Sequence, residues 1–178
     1  MDIQEFVEQS IGQWRSQRSA HHLAFSHFEA VESVINIEAI SSEANSVIDL
    51  CKTYNIEPQA VVSPFKMSWE GHSDWDDGEE VLKGTSVLVP VPDPTRLNCG
   101  KLLREQGYAE TMPAAGDYHL LEDGTFVLLT NYDRASAEEK IWFVNPNVRC
   151  RVSLIKTSAG SGVVTASFSS EIRQSQSK

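Results

Sequence analysis

The sequence predicts a mainly β protein whose antiparallel sheet closes into a barrel. Roughly eight to ten short segments have the alternating or β-branched composition of strands, and tight turns join them. Helical patterns occur near the N-terminus and once more in the first third of the chain. Helices therefore do not alternate with strands, as they would around a parallel sheet. An antiparallel sheet of this size closes into a barrel or splits into a sandwich, and we favour the barrel.

Two segments have the periodicity of amphipathic helices. In the first, Ile3 and Phe6 fall on one face, Asp2 is placed to cap the start, and Gly12 marks the region where the helix ends. The second spans residues 42–54, begins with a serine that can cap it, and carries one apolar stripe.

The strand segments alternate in polarity or are rich in β-branched residues. They are predicted at residues 13–24, 31–40, 59–69, 81–91, 116–121, 125–132, 138–144, 148–155 and 163–172. Pro64 indicates an edge or a bulge in the third of them. Residues 98–107 are predicted to hold a helical turn, and the acidic residues 70–80 an exposed turn.

Hairpin signals are clearest in the last third of the chain. Turns are predicted at residues 122–124 and 145–147, each between two strand segments. With a helix lying across one end, this arrangement predicts a lipocalin-like (fatty-acid-binding-protein-like) antiparallel β-barrel. A barrel of that size has room for one small ligand.

Charge and cysteine content exclude several classes of protein. The 178 residues fit one domain, residues 1–178, and carry a formal net charge of −10, which disfavours nucleic acid and anionic membrane surfaces as partners. The sequence has no apolar run long enough to span a bilayer and no signal-peptide pattern. Cys51, Cys99 and Cys150 are odd in number and widely spaced, which argues against a disulfide framework. We therefore expect a cytoplasmic protein.

Motifs for nucleotide, metal or serine-hydrolase chemistry are absent from the sequence. The glycines at 160 and 162 lie between strands with no following helix, so they do not form a dinucleotide-binding loop. No cysteine pair has metal-ligand spacing, and a serine-hydrolase elbow is missing. His21 and His22 are adjacent on a predicted strand and point to opposite faces, a poor arrangement for one metal. We expect no metal site.

The strand at residues 148–155 carries the most informative charges. Arg149, Arg151 and Ser153 share one face, and an apolar set shares the other. If the apolar set packs outward, the arginines line the barrel interior. If the apolar set forms the core, the arginines are solvated. The pattern alone favours this second alternative, because charged residues are seldom buried without partners. Arg18, on a face with Trp14, presents the same two alternatives. Inward arginines would fit a ligand with carboxylates.

The four tryptophans allow a similar pair of interpretations. Trp69 and Trp75 bracket the acidic stretch, whereas Trp14 and Trp142 lie on predicted strands. A buried core position is the usual place for such a side chain. Two tryptophans beside an exposed loop also suit a large planar ligand at the mouth of a barrel.

Four sequence blocks resemble one known family. They run in order through the chain at residues 12–23 (GQWRSQRSAHHL), 100–108 (GKLLREQGY), 138–151 (EEKIWFVNPNVRCR) and 166–173 (ASFSSEIR). The chain is identified by them as similar to the S-type phycobiliprotein lyases, CpcS/CpeS. That resemblance implies a lipocalin-like barrel that binds an open-chain tetrapyrrole, a bilin, and promotes its thioether attachment to a cysteine of a phycobiliprotein subunit.

The resemblance also implies roles for individual residues, which fall into two sets. Those expected to take part in catalysis are Arg149, Arg151 and Glu171. Those expected to bind the ligand are Arg18, His21, His22, Met67, Trp69, Trp75, Glu139, Trp142 and Ser153. Bilin propionates need cations, which Arg149 and Arg151, or one of them with Arg18, would supply in the barrel mouth. Pyrrole N–H groups need an acceptor, and Glu171 or Glu139 would serve.

The expected reaction is addition of the partner's cysteine sulfur to the ethylidene group of ring A, with the lyase acting by positioning. We expect phycocyanobilin as bound substrate, no permanent cofactor, and phycocyanin- or allophycocyanin-type subunits as partners. The protein is expected to act alone, as a homodimer, or as a heterodimer with a sister lyase. The alternatives are a bilin or fatty-acid carrier without transfer activity, and an accessory subunit of a heteromeric lyase.

Overall fold

The computed structural model describes residues 1–74, 81–96, 98–105, 114–157 and 162–174. Within these ranges the chain forms two α-helices, α1 (Ile3–Ser10) and α2 (Asn45–Thr53), and ten strands. The strands are β1 (Gly12–His22), β2 (His27–Ala39), β3 (Phe65–Ser73), β4 (Val81–Pro92), β5 (Cys99–Arg104), β6 (Ala114–Leu120), β7 (Phe126–Asn131), β8 (Ala135–Asn145), β9 (Val148–Thr157) and β10 (Val163–Arg173).

The strands form one closed antiparallel barrel. Each strand pairs with the next along the chain, and β1 pairs with β10 to close the sheet. The closing register runs from Trp14 opposite Arg173 to His22 opposite Thr165. Continuous pairing on both sides of β1 rules out two separate sheets, so the predicted lipocalin-like barrel is confirmed and the sandwich is not formed.

Helix α1 closes one end of the barrel, as its amphipathic pattern predicts. Asp2 accepts a hydrogen bond from the Glu5 backbone, and the Glu5 side chain accepts one from the Asp2 backbone in return, which completes a capping box. The buried face of the helix packs into the main hydrophobic core, where the Phe6 ring stacks on Phe126 with centroids 4.6 Å apart. Trp14 is fully buried there and donates its indole N–H to the Ser10 carbonyl at 2.9 Å.

Arg173 joins the end of α1 to the last strand. Its two terminal nitrogens donate to the carbonyl oxygens of Ile11 and Gln9, each at 2.6 Å. Its guanidinium carbon lies 4.2 Å from the centroid of the Trp14 ring, within cation–π range. The last carbonyls of a helix lack partners inside the helix, so Arg173 supplies donors at the end where a positive charge is favourable.

Helix α2 packs against the outer face of the sheet. Val47, Leu50 and Cys51 form a second hydrophobic cluster with residues of β4 and β5, among them Val89 and Leu103. The second half of β4 and residues Leu102 and Leu103 of β5 face the barrel core on one side and α2 on the other, so both faces are apolar there. In the described part of the chain, neither helix is long and apolar enough to cross a membrane.

Three sequence-based predictions of secondary structure are wrong. Residues 70–73, expected to begin an exposed turn, instead continue strand β3. The helical turn expected at residues 98–107 is strand β5, in which Leu102 faces the barrel core and Leu103 faces α2. Burial on both faces removes the polar alternation that marks a strand. The strand expected at residues 59–69 instead begins after Pro64, and a short 3₁₀ turn precedes it.

Several element starts also differ from expectation, among them those of α2 and β2. Helix α2 begins at Asn45 with Ala44 as its N-cap residue, rather than with Ser42. Strand β2 begins at His27, four residues before the predicted strand at 31–40.

The packing of α1 predicts a large difference between two phenylalanine truncations. Phe6→Ala should lower the free energy of unfolding by about 3–5 kcal/mol, because it removes a buried ring and leaves a cavity at the barrel end. The matched control is Phe25→Ala, since Phe25 is 76% exposed and should change stability by no more than about 0.5 kcal/mol. Urea unfolding followed by circular dichroism measures both. Equal losses would show that α1 does not carry this packing.

Candidate functional site

A cavity of about 450 Å³ lies inside the barrel on the side away from α1. Its size is within the usual range for small-molecule sites. The side chains that surround it come from β1, β2, β3, β4, β8, β9 and β10. They include Ser16, Arg18, Ala20, His22, Val31, Ile35, Met67, Trp69, Leu82, Glu139, Arg151, Ser153, Ile155, Thr165, Ser167, Ser169 and Glu171.

Strand register stacks the charged residues of β1, β9 and β10 in two rows. In the row nearer α1, Ser16 is opposite Glu171, which is opposite Arg149. In the next row, Arg18 is opposite Ser169, which is opposite Arg151. Side chains two residues apart on a strand share a face, so both rows face the barrel interior. Arg149 and Arg151 therefore face inward.

Arg149 and Glu171 form a buried ion pair at the floor of the cavity. Each is about 1% exposed, and Nε of Arg149 donates to Oε2 of Glu171. Burial lowers the pKa of Arg149 to about 10, against the opposing effect of Glu171, so the guanidinium stays charged at neutral pH. Burial alone would raise the pKa of Glu171, but Arg151 and Arg149 outweigh it and hold that pKa below the ordinary value.

Arg151 lies between the two carboxylates of the floor. Its Nε is 3.6 Å from Oε1 of Glu171, and one terminal nitrogen is 3.8 Å from Oε1 of Glu139. On the other side of Glu139, a terminal nitrogen of Arg104 is 3.8 Å from Oε2. Each carboxylate thus lies between Arg151 and a more deeply buried arginine. The ionic floor consists of these five residues, Arg104, Glu139, Arg149, Arg151 and Glu171.

A second charged group lies on the wall of the cavity around Glu29. The Glu29 carboxylate accepts a hydrogen bond from the Ser73 hydroxyl at 2.6 Å, is 2.9 Å from Nε2 of His22, and is 3.6 Å from a terminal nitrogen of Arg18. Burial would raise the pKa of Glu29, but Ser73, His22 and Arg18 together lower it. Arg18 is therefore directed along the wall by an ionised partner.

Trp69 and Met67 supply apolar surface to the same cavity from β3. The Trp69 ring lies over Gly84 of the neighbouring strand, where a Cβ atom would overlap the indole. Glycine at this position thus makes room for the ring. Among the described residues, buried or half-buried arginines inside the barrel outnumber glutamates by one, with Arg18, Arg104, Arg149 and Arg151 against Glu29, Glu139 and Glu171. The interior is positive within a protein of net charge −10.

The sequence matches the family model described as CpeS-like protein over residues 2–174. The chain belongs to the CpeS-like family. This confirms the family indicated by the sequence blocks.

Named relatives of this CpeS-like chain cover nearly its whole length. Chromophore lyase CpcS/CpeS 3 of Trichodesmium erythraeum (strain IMS101) is 61% identical over 173 residues, which is 97% of this chain and 99% of that protein. The putative phycoerythrobilin lyase CpeS of Microchaete diplosiphon is 65% identical over 159 residues, 89% of this chain and 71% of that protein. The solved structure of the S-type phycobiliprotein lyase CPES from Guillardia theta superposes with a TM-score of 0.87 at 48% identity, covering 99% of this chain and 95% of that one.

The structure brings most of the sequence-predicted residues of this CpeS-like chain to the cavity. Those that line it are Arg18, His22, Met67, Trp69, Glu139, Arg151, Ser153 and Glu171. Arg149 faces the interior but lies beneath Glu171 and lines only a small void of about 50 Å³ between the ionic floor and α1. The expectation that it lies at the mouth is therefore not met.

Two predicted residues lie outside the barrel. His21 is on the outer face of β1, where its ring contacts Phe28 edge-on at 5.2 Å between centroids. Trp142 is on the outer face of β8, opposite Cys150. Neither lines the cavity. Trp75 falls outside the described residues.

Sequence reasoning missed Glu29, Ser73 and Arg104. Glu29 precedes the predicted strand at 31–40, and extending the alternation back from Val31 would have placed it on the inward face. Arg104 was hidden in the segment expected to be helical. Within the described ranges, no group of three or more histidine, cysteine, aspartate or glutamate side chains is arranged to hold a metal ion.

The Arg149–Glu171 pair predicts a large effect of removing the carboxylate. Glu171→Gln should lower the free energy of unfolding by about 3–5 kcal/mol at neutral pH, because it leaves a buried guanidinium without its counter-ion. The folded-state pKa of Glu171 is below its ordinary value of 4.5, so its contribution is complete above that pH and is lost as the pH falls through the folded value. Wild-type stability should therefore fall more steeply with acid than that of the variant.

Denaturant unfolding between pH 3 and pH 7 measures both effects. Glu122→Gln, at an exposed turn position, is the matched control and should leave stability and its acid dependence unchanged. If the free energy of unfolding falls equally steeply with decreasing pH in wild type and in Glu171→Gln, the buried Arg149–Glu171 ion pair is not the source of the acid dependence.

Proposed function

We propose that this CpeS-like protein is a bilin lyase, which binds an open-chain tetrapyrrole in the barrel cavity and promotes its thioether attachment to a cysteine of a phycobiliprotein subunit. The observation that carries the proposal is a cavity with a positive interior whose lining combines arginines, a glutamate carboxylate and a tryptophan. A bilin offers the matching groups, namely two propionates, pyrrole N–H donors and a flat conjugated system. The names of the relatives agree with this chemistry.

Arg18 and Arg151 are the residues we assign to the propionates. Both line the cavity, and their side chains are 42% and 16% exposed, so ligand carboxylates can reach them. Arg149 is the predicted propionate partner that the geometry supports least, because it is 1% exposed and engaged with Glu171. Its proposed role is to hold Glu171 in place beneath Arg151.

Glu139 is the carboxylate we assign to the pyrrole N–H groups. Its two ion pairs, with Arg104 and Arg151, are both 3.8 Å long, which exceeds hydrogen-bond length. An ionised carboxylate has about four acceptor positions, so Glu139 retains capacity for N–H donors of a ligand. Glu171 accepts a hydrogen bond from Arg149 and serves as counter-ion to two arginines. Of the two glutamates predicted as acceptors, the geometry therefore favours Glu139.

The remaining cavity residues fit the shape of the ligand. Trp69 and Met67 can cover the face of the conjugated system, and Ser153 and His22 lie further along the wall. In the proposed reaction the partner's thiol adds across the ethylidene double bond of ring A. Sulfur bonds to one carbon, the thiol proton ends on the tetrapyrrole, and no group leaves. The lyase supplies position and conformation rather than a nucleophile.

Phycoerythrobilin is the bilin that we infer. The relative at 65% identity is named for it. This choice differs from the expectation from the sequence, which is phycocyanobilin with phycocyanin or allophycocyanin subunits as acceptors. A cytoplasmic location also stays a prediction.

Reconstitution tests the lyase function and the choice of bilin together. The protein, one bilin and an apo-phycobiliprotein subunit should give a covalent, fluorescent adduct faster and more cleanly than bilin and subunit alone. Phycoerythrobilin should be attached faster than phycocyanobilin. Tight bilin binding without transfer to any subunit would instead identify a carrier, and adduct formed only after addition of a sister lyase would identify an accessory subunit.

Arg18 and Arg15 offer a matched pair of variants on one strand. Arg18→Gln should weaken bilin affinity by about 10- to 100-fold, since it removes a charge-assisted hydrogen bond to a propionate. Arg15→Gln is the control, because Arg15 lies on the outer face of β1 and pairs there with Glu32. Titration followed by absorbance measures both. The dimethyl ester of the bilin lacks the propionate charges, so wild type and Arg18→Gln should bind it with equal affinity. A difference in affinity that remains with the ester would refute the propionate assignment.

A further inference from the structure

Arg104 is a deeply buried cation that the proposed ligand contacts do not use. It is 2% exposed, lies at the end of β5, and lines the small void beneath the ionic floor rather than the main cavity. A terminal nitrogen donates to Oγ1 of Thr130 at 2.6 Å, and the other terminal nitrogen is 3.8 Å from Oε2 of Glu139. A buried guanidinium is retained only with such polar partners.

The surroundings of Arg104 hold it in one position. Its own carbonyl accepts a hydrogen bond from the Tyr54 hydroxyl at 3.0 Å, which ties this end of β5 to the segment after α2. Thr130 is fully buried, and Gly116 leaves the space beside it, since a Cβ atom there would lie 2.8 Å from the Thr130 hydroxyl. The guanidinium that lies 3.8 Å from Glu139 therefore belongs to a residue held by one hydrogen bond at its backbone carbonyl and by another at a terminal nitrogen.

Arg104 and Arg149 hold equivalent positions in the ionic floor. Arg149 contacts Oε2 of Glu171 from beneath, while Arg151 approaches Oε1 from the cavity side. Arg104 likewise approaches Oε2 of Glu139 from beneath, while Arg151 approaches Oε1. In each glutamate, one carboxylate oxygen is turned toward the more deeply buried arginine, and the other is turned toward Arg151 and the cavity.

We propose that Arg104, anchored by Thr130, is a positioning residue that orients Glu139 toward the bound ligand. This inference rests on the proposed function, in which Glu139 accepts the pyrrole N–H groups of a bilin. Without Arg104, Arg151 is the one cation among the described residues that attracts the Glu139 carboxylate, and the two close into a direct hydrogen-bonded pair. Both the acceptor for the pyrroles and the cation for a propionate are then engaged with each other.

A double-mutant cycle tests the coupling of Arg104 to Glu139. Arg104→Met, Glu139→Gln and the double variant are compared by bilin affinity and by the absorbance maximum of the bound bilin, which reports on the charge near the pyrroles. Arg104→Met should weaken binding about tenfold and shift the absorbance in the same direction as Glu139→Gln. The double variant should be no worse than Glu139→Gln alone. Arg104→Lys should restore part of both effects.

Two further variants separate positioning from general stability. Lys101→Met is the matched control, because Lys101 is an exposed cation on the same strand and pairs at the surface with Asp117. It should leave affinity and spectrum unchanged. Thr130→Val nearly preserves the shape of the side chain but removes the hydroxyl that accepts a hydrogen bond from Arg104. It should shift the bilin absorbance in the same direction as Arg104→Met, by a smaller amount. Thr130→Val replaces Arg104→Met in the test if the latter does not fold.

Failure of this inference can be told from failure of the proposed function. If the wild-type protein binds no bilin, both are overturned. If it binds bilin but the effects of Arg104→Met and Glu139→Gln add, only the positioning role is overturned. The positioning role is also overturned if the absorbance maximum of bound bilin does not shift in Arg104→Met. If Arg104→Met does not fold, an unshifted maximum in Thr130→Val overturns it instead.

Discussion

Charge pairing inside the barrel is the constraint on which the cavity depends. A carboxylate or guanidinium removed from water is unfavourable unless an opposite charge and hydrogen bonds accompany it. The ionic floor meets this condition by placing Arg151 between two glutamates and a further arginine beneath each. The same arrangement leaves polar groups at the floor of the cavity, where an apolar core would otherwise continue from α1.

The two ends of the barrel are therefore chemically different. At one end, α1, Trp14 and Phe126 make a dry hydrophobic core, and Arg173 fastens the end of the helix to the last strand. Beyond the ionic floor, β9 and β10 contribute small polar inward residues, namely Ser153, Ser167 and Ser169. Small side chains leave volume inside a barrel that large ones would fill. The small residues on this side of the barrel help to leave room for the cavity.

Strand alternation predicted which residues share a face, but not which face is inside. On β1 it correctly grouped Arg18 with Trp14. On β9 it grouped Arg149 with Arg151 but favoured a solvent-facing position, whereas both face inward. The direction depends on closure, because pairing of β10 with β9 brings Glu171 beside Arg149 and supplies the partner that a buried arginine needs. Such a partner lies far away in sequence and cannot be read from one strand.

The residues missed from the sequence were missed for two different reasons. Where a strand is covered on both faces, as β5 is by the core and by α2, polarity no longer alternates, and Arg104 was placed in a predicted helical turn. Where a strand was predicted to start too late, as β2 was, Glu29 fell outside it. His21 and Trp142 show the converse, since residues within the motifs of a family can face outward when the strand alternates.

The contacts of Arg173 also constrain how the barrel is assembled during synthesis. Its hydrogen bond to the Gln9 carbonyl joins residues 164 positions apart, and β1 finds its second neighbour only in β10. While the ribosome is still making the intervening strands, α1 and β1 are present without the strand that closes over them. Contacts of such sequence separation form late and slow folding, and an open sheet edge is exposed to aggregation in the interval. The enclosed interior, with its positive floor, cannot be complete until β10 has been synthesised and has paired with β1.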